Sequence, residues 1–388
     1  MRYNFDEFIT RKDTDCEKWD SLEELFGDGA ALPLWVADMD FPCAEPIISA
    51  LKARIAHPVF GYPRVPKALY DAVIGFYQRH HNWEIQPEWL ATSGGIVHGI
   101  NMAIQAFTQP GDKIIVQTPA YHPFFTAVNN NDRELITNPL LEEQGHYYMD
   151  FDDLEAKLQD GAKTILFCSP QNPTGRVWLP KELKRLADLA LDYDALIISD
   201  EIHGDIVHAG HQHQTLASIA PELAKNIVTF VAPSKTFNIA GLATSFAVIP
   251  DLTRHSDFRR VLKQTGYSGP TVFGITAATA AYSSCDDWLA QMKVYLQNNL
   301  EYLRFYVHGM LPGVRLIEPE GTFLAWLDFR ELGLEHTELK HKLIKQGKVA
   351  LSDGCFFGQE GDRFMRLNFA CPRSMLQSGL ASIRRAIT

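Results

Sequence analysis

Short apolar runs alternate with helical patterns through the middle of the chain. Continuous apolar runs of this length are typical of strands that are buried on both faces of a sheet. Between two of these runs, residues 180–194 place leucines at helical spacing on one face. Strands that alternate with helices predict βαβ units, a mostly parallel sheet and an α/β fold. The predicted strands are residues 114–118, 164–169, 195–199, 227–231 and 245–249.

The two ends of the chain differ from the middle. Residues 1–45 have an irregular pattern rich in acidic and aromatic residues, and the chain from about Asp286 starts with a helical pattern. Short strands are predicted later, at residues 321–328 and 363–368. The length of 388 residues exceeds the size at which single cores stop growing. We therefore expect a large domain of residues 46–280 and a smaller α+β domain of residues 1–45 and 281–388.

Composition and charge exclude several classes of protein. The formal net charge of −11 argues against nucleic-acid binding, which needs a basic face. The longest apolar runs have the length of a strand, so we expect no membrane span. The first residues lack a basic-then-apolar signal pattern, and a cytoplasmic location follows as the expectation. The six cysteines show no C-x-x-C spacing, so neither a disulfide framework nor a zinc site is expected.

Polar residues follow three of the predicted buried strands. The sequence Ser-Pro-Gln-Asn-Pro-Thr-Gly at residues 169–175 follows the first, Asp-Glu-Ile-His at 200–203 the second, and Ser-Lys-Thr-Phe-Asn at 234–238 the third. Ligands of open parallel sheets bind beyond the carboxyl ends of the strands. An amide, an acid with a histidine, and a lysine are therefore expected to meet at one edge of the sheet.

This set of side chains is the one that pyridoxal 5′-phosphate (PLP) requires. A lysine bonds to the cofactor aldehyde, a carboxylate keeps the pyridine nitrogen protonated, and a donor binds the phenolate oxygen. Lys235, Asp200 and Asn172 fit these roles in turn. Each alone has an ordinary explanation, namely a solvated lysine, a helix cap and a turn. Their order and co-occurrence favour the cofactor site.

Together these motifs resemble the class I/II aminotransferase family of fold type I PLP enzymes, over essentially the whole chain. The resemblance implies that the turn containing Gly95, Ile96 and Val97 binds the cofactor phosphate, in agreement with the free N–H groups and partial positive charge of a helix N-terminus. It also implies that Tyr121 stacks on the pyridine ring. His203 stands where many relatives carry a tyrosine that binds the phenolate oxygen.

The same resemblance assigns substrate-binding residues. Arg366 is similar to the arginine that binds the substrate α-carboxylate, and Asn172 assists it. Tyr62 resembles a tyrosine that reaches the phosphate of the neighbouring subunit, which implies a homodimer with shared sites.

A narrower resemblance concerns the reaction. Residues 33–41, with the sequence Pro-Leu-Trp-Val-Ala-Asp-Met-Asp-Phe, are similar to those of the cystathionine β-lyase-like carbon–sulfur lyases, a branch that includes the maltose-regulon modulator. The resemblance implies that Ala37 places its backbone near the substrate carboxylate. It further implies cleavage of L-cystathionine or another cysteine S-conjugate to a thiol, pyruvate and ammonia, with Lys235 as the base and Tyr62, Tyr121 or Lys235 as the acid. An aminotransferase and a regulatory protein that keeps a PLP fold are the alternatives.

Two positions depart from the family pattern. Many relatives carry a serine three residues before the lysine and a basic residue eight after it, where this chain has Ala232 and Ala243. The phosphate is then expected to depend on Ile96, Val97, Ser234 and Tyr62.

Two other kinds of site, a metal site and a nucleotide-binding site, fit the sequence less well. His203, His208, His211 and His213 lie close together, but no cysteine or carboxylate completes a metal-binding pattern of fixed spacing. We therefore expect no metal site, and we expect the last three histidines in an exposed loop. The chain also lacks the G-x-G-x-x-G and G-x-x-x-x-G-K-[ST] motifs of nucleotide-binding enzymes, which argues against a dehydrogenase.

Overall fold

The structure is a computed structural model that describes residues 2–388. Its helices are α1 Glu17–Asp20, α2 Leu22–Phe26, α3 Glu45–Ile55, α4 Lys67–His81, α5 Ile96–Phe107, α6 Pro123–Asn129, α7 Phe151–Gln159, α8 Pro180–Asp192, α9 Leu216–Ile219, α10 Pro233–Thr236, α11 Leu252–Gln264, α12 Val272–Ser284, α13 Asp286–Met310, α14 His336–His341 and α15 Arg373–Ile387. Its strands are β1 Leu32–Pro33, β2 Leu90–Ser93, β3 Lys113–Thr118, β4 Glu134–Pro139, β5 Leu141–Glu143, β6 His146–Tyr148, β7 Thr164–Cys168, β8 Leu196–Asp200, β9 Ile227–Val231, β10 Ser245–Val248, β11 Arg315–Ile317, β12 Leu324–Asp328, β13 Val349–Ala350, β14 Ser352–Asp353 and β15 Phe364–Asn368. A π-helical turn, Lys342–Gly347, continues α14, and the 3-10 turns are Pro87–Trp89, Pro221–Asn226, Ala240–Leu242, Arg330–Leu332, Gly354–Phe357 and Gln359–Gly361.

A seven-stranded sheet in the order β2-β10-β9-β8-β7-β3-β4 forms the centre of the fold. The five strands from β9 to β4 in this order are parallel, which confirms the predicted mostly parallel sheet. Strand β10 is antiparallel to both of its neighbours. After β9 the chain makes only short helical turns beyond the sheet edge, so the next strand returns in the opposite direction.

The sheet separates two hydrophobic cores. Along β8, the side chain of Ile197 belongs to one core and that of Ile198 to the other, because successive residues of a strand point to opposite faces. Helices α5 and α11 cover one face, and α3, α4 and α12 pack together on the other. The continuous apolar runs of the sequence are therefore explained by burial on both faces.

A second sheet, antiparallel and four-stranded, has the order β11-β12-β15-β14. Helix α13 packs beside it and buries Trp288, Met292 and Leu296, as the helical pattern predicted. Near the N-terminus, β1 pairs in parallel with β13, so the two ends of the chain meet. Residues 1–45 also contain α1 and α2, which the prediction of an irregular segment missed because these helices span barely one turn. The domain boundaries at residues 46 and 280 stay predictions.

Residues 36–41 join the two sheets through the amide of Asn238. Its Nδ2 donates to the carbonyl oxygens of Met39 at 3.0 Å and Phe41 at 2.8 Å, and its Oδ1 accepts from Met39 N at 3.0 Å. Asn238 has a φ of 57°, a left-handed conformation that asparagine tolerates better than most residues. The turn after Lys235 is thereby tied to the N-terminal segment.

The amide of Asn368, at the end of β15, holds the same segment from the other side. Its Nδ2 donates to the carbonyl oxygens of Val36 and Asp38, both at 2.6 Å. The side chain is fully buried. Carbonyl oxygens of segment 36–41 are therefore satisfied by side chains of the turn after α10 and of β15 rather than by a neighbouring strand.

Within residues 2–388, no helix combines the length and the apolar character that a membrane crossing requires.

Replacing Asn368 by alanine tests the connection between β15 and segment 36–41. The substitution removes the donor of the Val36 carbonyl oxygen and leaves that of Asp38 with only Lys18 Nζ at 3.3 Å, and a lost partner costs about 1–3 kcal/mol. We expect the free energy of unfolding to fall by roughly 2–4 kcal/mol, measured as a lower urea midpoint. The matched control is Asn129→Ala on the exposed end of α6. Equal midpoints for the two variants would contradict the assigned role.

Candidate active site

The three predicted strand ends meet, because β7, β8 and β9 are neighbours in the sheet. Beyond their carboxyl ends lies a cavity of about 210 Å³. Ten of the predicted site residues line it, namely Ala37, Gly95, Ile96, Val97, Tyr121, Asn172, Asp200, His203, Ser234 and Lys235. Arg366 lines an adjoining cavity of about 480 Å³ that shares Ala37, Tyr121 and Lys235 with the first.

Lys235 lies on the single helical turn α10, directly after β9. Its Nζ donates a hydrogen bond to the carbonyl oxygen of Ala37 at 2.6 Å. Burial lowers the pKa of Lys235 to about 8; the carboxylates of Asp38 and Asp200 oppose this shift, and the charge of Arg366 adds to it. A substantial fraction of the amine is therefore neutral near pH 8, as a base or nucleophile requires.

The turn that carries Lys235 is held by a buried acid, Asp205, which was not among the predicted site residues. The hydroxyl of Thr236 donates to Asp205 Oδ2 at 2.5 Å, and His81 Nε2 lies 2.6 Å from Asp205 Oδ1. Asp205 follows His203 by two residues, so its position in the motif was visible, but its partners lie on distant parts of the chain.

Asp200 ends β8 and is buried at the floor of the cavity. Its Oδ1 accepts a hydrogen bond from the N–H of Ile202 at 3.1 Å. Burial raises the pKa of Asp200 to about 7, although this hydrogen bond and the charge of Lys235 act against the rise. Such a carboxyl group is stabilised as an anion once a positively charged group enters the cavity.

His203 lies in the same cavity as a neutral imidazole. Burial lowers its pKa to about 3, and the charges of Lys235 and Arg366 lower it further. Its Nδ1 is buried and has no hydrogen-bond partner among the described residues. A buried polar atom of this kind indicates that a bound group supplies the missing partner.

Helix α5 points its N-terminus at the opposite end of the cavity. Its N-cap, Gly95, has a φ of 109°, and the N–H of Gly95 donates to Ser245 Oγ at 3.2 Å. The free N–H groups of the first turn and the helix dipole favour an anion there. Ser234 lines the cavity as predicted, and Thr244 lines it beside Ala243, the position that lacks the usual basic residue. Thr244 was missed, although its place directly after Ala243 was a usable signal.

Arg366 is held rigidly in β15. Its Nη1 donates to Asn172 Oδ1 at 2.9 Å, and its Nη2 donates to both Trp35 O and Ser352 Oγ at 3.0 Å. Its Nε has no partner among the described residues, and burial lowers its pKa to about 10. The guanidinium therefore has a donor to offer and a charge that lacks a counter-ion. Ser352 was missed, because only the register of β14 against β15 places it opposite Arg366.

The two predicted tyrosines differ in position. Tyr121 is half-buried between the two cavities, and burial raises the pKa of its hydroxyl. Tyr62 is fully exposed and does not line either cavity of its own chain. The predicted contact of Tyr62 with a neighbouring subunit stays a prediction.

The expectation that His208, His211 and His213 are exposed is wrong for two of them. His208 and His213 are buried, because the loop folds back and His213 Nε2 lies 3.0 Å from Glu201 Oε2. Burial also lowers the pKa of His208 to about 4. Only His211 is exposed.

Another group, His336, Asp353 and Cys355, has donor atoms within 4.8 Å of one another. His336 Nδ1 accepts from the N–H of Arg363, which places the proton on Nε2, 2.7 Å from Asp353 Oδ1. The arrangement is explained by hydrogen bonding without a metal ion.

The raised pKa of Asp200 predicts a pH-dependent stability of the cofactor-free chain. In the folded state the group titrates at about 7 rather than at its ordinary 3.8, so it stabilises the fold below pH 4, and this contribution is lost as the pH rises through 7. The stability advantage of Asp200→Asn over wild type should therefore grow from pH 4 to 7 and then level off at roughly 4 kcal/mol.

Urea midpoints of the two proteins between pH 4 and 8 measure this difference. Asp192→Asn, at an exposed site on α8, is the matched control. A difference that stays constant with pH would contradict the assigned burial effect.

Known proteins place the chain in a family. A family model described as aminotransferase class I and II matches residues 32–383. The chain is 43% identical over 386 residues to cystathionine beta-lyase PatB of Bacillus subtilis strain 168, covering 99% of this chain and 100% of that protein. It is 34% identical over 388 residues to protein MalY of Escherichia coli strain K12, with 99% of each chain covered. The crystal structure of cystalysin from Treponema denticola, which contains a pyridoxal 5′-phosphate cofactor, has a TM-score of 0.95 at 34% identity and covers 100% of this chain and 99% of that chain. The chain thus belongs to the class I and II aminotransferase family.

Proposed function

We propose that this protein is a PLP-dependent carbon–sulfur β-lyase that cleaves cysteine S-conjugates, L-cystathionine among them, to a thiol, pyruvate and ammonia. The observation that carries the proposal is the meeting of Lys235, Asp200 and Arg366 around two joined cavities. The similarity over the full length to proteins named cystathionine beta-lyase supports the choice of reaction.

The residues of the smaller cavity fit PLP. Asp200 is a buried acid whose charge needs a cationic partner, which the protonated pyridine nitrogen supplies. His203 has a buried nitrogen without a partner, and the first turn of α5 offers N–H groups to a phosphate. When bound, PLP supplies an electron sink that stabilises negative charge on the substrate's α-carbon.

The side chains around this cofactor bind the substrate carboxylate and accept the α-proton. Arg366 binds the α-carboxylate of the substrate through its unpaired Nε–H, and its Nη atoms are already anchored to the protein. Nζ of Lys235 receives the α-proton, because its lowered pKa leaves it partly neutral. The carbonyl of Ala37 restrains Nζ, and Tyr121 bounds the cavity beside it.

The lyase reaction is separated from transamination by omitting the keto-acid acceptor. With L-cystathionine as the only substrate, we expect stoichiometric pyruvate and free thiol, because β-elimination needs no second substrate. Lys235→Ala should lose this activity together with the borohydride-reducible cofactor adduct. Lys225→Ala, at an exposed position, is the control.

Product formation only after a keto acid is added would show an aminotransferase instead. A reducible adduct that persists in Lys235→Ala would show that another lysine carries the cofactor.

We also propose that the protein acts in the cytoplasm as a homodimer in which Tyr62 enters the partner's site. Tyr62 is fully exposed and lies near the exposed side chains of Val59 and Phe60, an unusual position for three apolar residues. Burial against a second copy explains this exposure.

Mixing two inactive variants tests the shared site. In a mixed dimer, the Tyr62→Ala subunit keeps Lys235 and the Lys235→Ala subunit keeps Tyr62. One of the two sites then contains both native residues only if Tyr62 acts across the interface. Random exchange should then restore about a quarter of wild-type activity, since half of the dimers are mixed and one of their two sites is complete. No recovery, with exchange verified by a tag on one variant, would place Tyr62 outside the partner's site.

A further inference from the structure

The larger cavity extends from Lys235 and Arg366 toward solvent and has a mostly hydrocarbon wall. Because this cavity begins beside Lys235 and Arg366, it offers space for the sulfur substituent of a substrate whose α-carboxylate lies on Arg366. Its apolar lining residues include Leu25, Phe26, Trp35, Leu343, Phe356 and Met365. A volume of about 480 Å³ is ample for a substituent of six or more carbons.

The indole nitrogen of Trp35, in this wall, is already hydrogen-bonded within the protein. The indole N–H of Trp35 donates to the carbonyl oxygen of Lys18 at 3.0 Å, and Phe26 packs edge-on against the indole with ring centroids 5.3 Å apart. Leu25 and Phe356 are 55% and 61% exposed, so large apolar side chains stand at the open end of the cavity. Exposed apolar side chains around a pocket mark a site that binds an apolar group.

Lys340, which lines the outer part of the cavity, forms an ion pair with Asp353. Lys340 Nζ lies 2.5 Å from Asp353 Oδ2. The other oxygen, Asp353 Oδ1, is hydrogen-bonded to His336 Nε2 at 2.7 Å. Burial opposes the charge of Asp353, but the hydrogen bonds from Lys340 and from the Cys355 N–H prevail and hold the pKa of its carboxyl below the ordinary value. Lys340 is therefore committed to a charged partner.

The remaining charge in the outer part of the cavity is negative. Glu17 lines the cavity and has no ion-pair partner among residues 2–388. A carboxylate at the far end of a substrate would have to share Lys340 with Asp353, whose like charge repels it, while facing Glu17. An uncharged substituent meets neither obstacle.

We infer that this cavity selects cysteine S-conjugates with a bulky, uncharged, apolar sulfur substituent over those that end in a carboxylate. The inference rests on the proposed lyase function and names its substrate class. In the reaction, the Cβ–S bond breaks, the sulfur leaves with the electron pair and gains a proton, and water converts the remaining three-carbon unit to pyruvate and ammonium. One substrate and one water thus yield one thiol, one pyruvate and one ammonium, without an oxidant.

Three substrates separate apolar contact from charge. S-hexyl-L-cysteine and S-methyl-L-cysteine release alkyl thiols of similar acidity, and S-(5-carboxypentyl)-L-cysteine has a chain of hexyl length that ends in a carboxylate. We expect kcat/KM for the hexyl conjugate, measured as pyruvate release by the holoenzyme, to exceed both others at least tenfold. Burial of the additional methylene groups accounts for the first difference and the committed lysine for the second.

Substitutions in the wall and at the mouth test the assignment. Leu25→Asp and Phe356→Asp should each reduce the hexyl-to-methyl ratio of kcat/KM at least fivefold. Leu252→Asp, 58% exposed at the start of α11, is the matched control and should leave the ratio unchanged. Glu17→Lys adds a cation, and it should raise the carboxypentyl-to-hexyl ratio at least threefold above that of Glu17→Gln.

The outcomes distinguish this inference from the proposed function. Pyruvate from none of the three conjugates, nor from L-cystathionine, would overturn the lyase function itself. Pyruvate from all of them with equal kcat/KM, or with preference for the carboxylate-ended chain, would leave the lyase function intact and overturn the substrate class. Unchanged ratios in both aspartate variants would show that the substituent lies elsewhere.

Discussion

The site depends on backbone hydrogen bonds that segment 36–41 makes to the amides of Asn238 and Asn368. A segment without a strand partner must find other donors for its carbonyl groups, and these two amides come from the turn after α10 and from the end of β15. The carboxylates of Asp38 and Asp40 add ion pairs to Arg11 and Lys18. The segment is therefore fixed between the two parts of the molecule that carry Lys235 and Arg366.

This fixed segment and Trp35, the residue directly before it, place two backbone carbonyls in the site. The oxygen of Ala37 accepts from Lys235 Nζ, and that of Trp35 accepts from Arg366 Nη2. A carbonyl oxygen holds a cation in place by a hydrogen bond but carries no net charge. A carboxylate in the same place would neutralise the cation. The charge of Arg366 is thereby kept for an incoming carboxylate, and the amine of Lys235 keeps its low pKa.

Burial is the common cause of the perturbed protonation in the site. It raises the pKa of Asp200 and lowers the pKa values of Lys235, His203 and Arg366. Each shift disfavours the charged form until a complementary charge arrives. A cofactor with a cationic ring nitrogen and a substrate with a carboxylate supply those charges, so binding favours the ionised form of Asp200 and gives the charge of Arg366 a counter-ion.

The sequence by itself determined five of the seven strands of the central sheet and the strand ends at which its chemistry lies, but not β2 and β4. Asn172, Asp200 and Lys235 lie at or just after the ends of short, continuous apolar runs, a pattern typical of strands that are buried on both faces of a sheet. Tertiary structure alone decided which residues orient this chemistry. Ser352 meets Arg366 through strand register, Asp205 meets His81 across 124 residues, and His213 is buried because its loop folds onto Glu201. The apolar cavity is likewise formed by α2, the π-helical turn and β15, which are distant in sequence. The sequence did not predict it, because contacts between distant segments depend on packing geometry that local patterns do not encode.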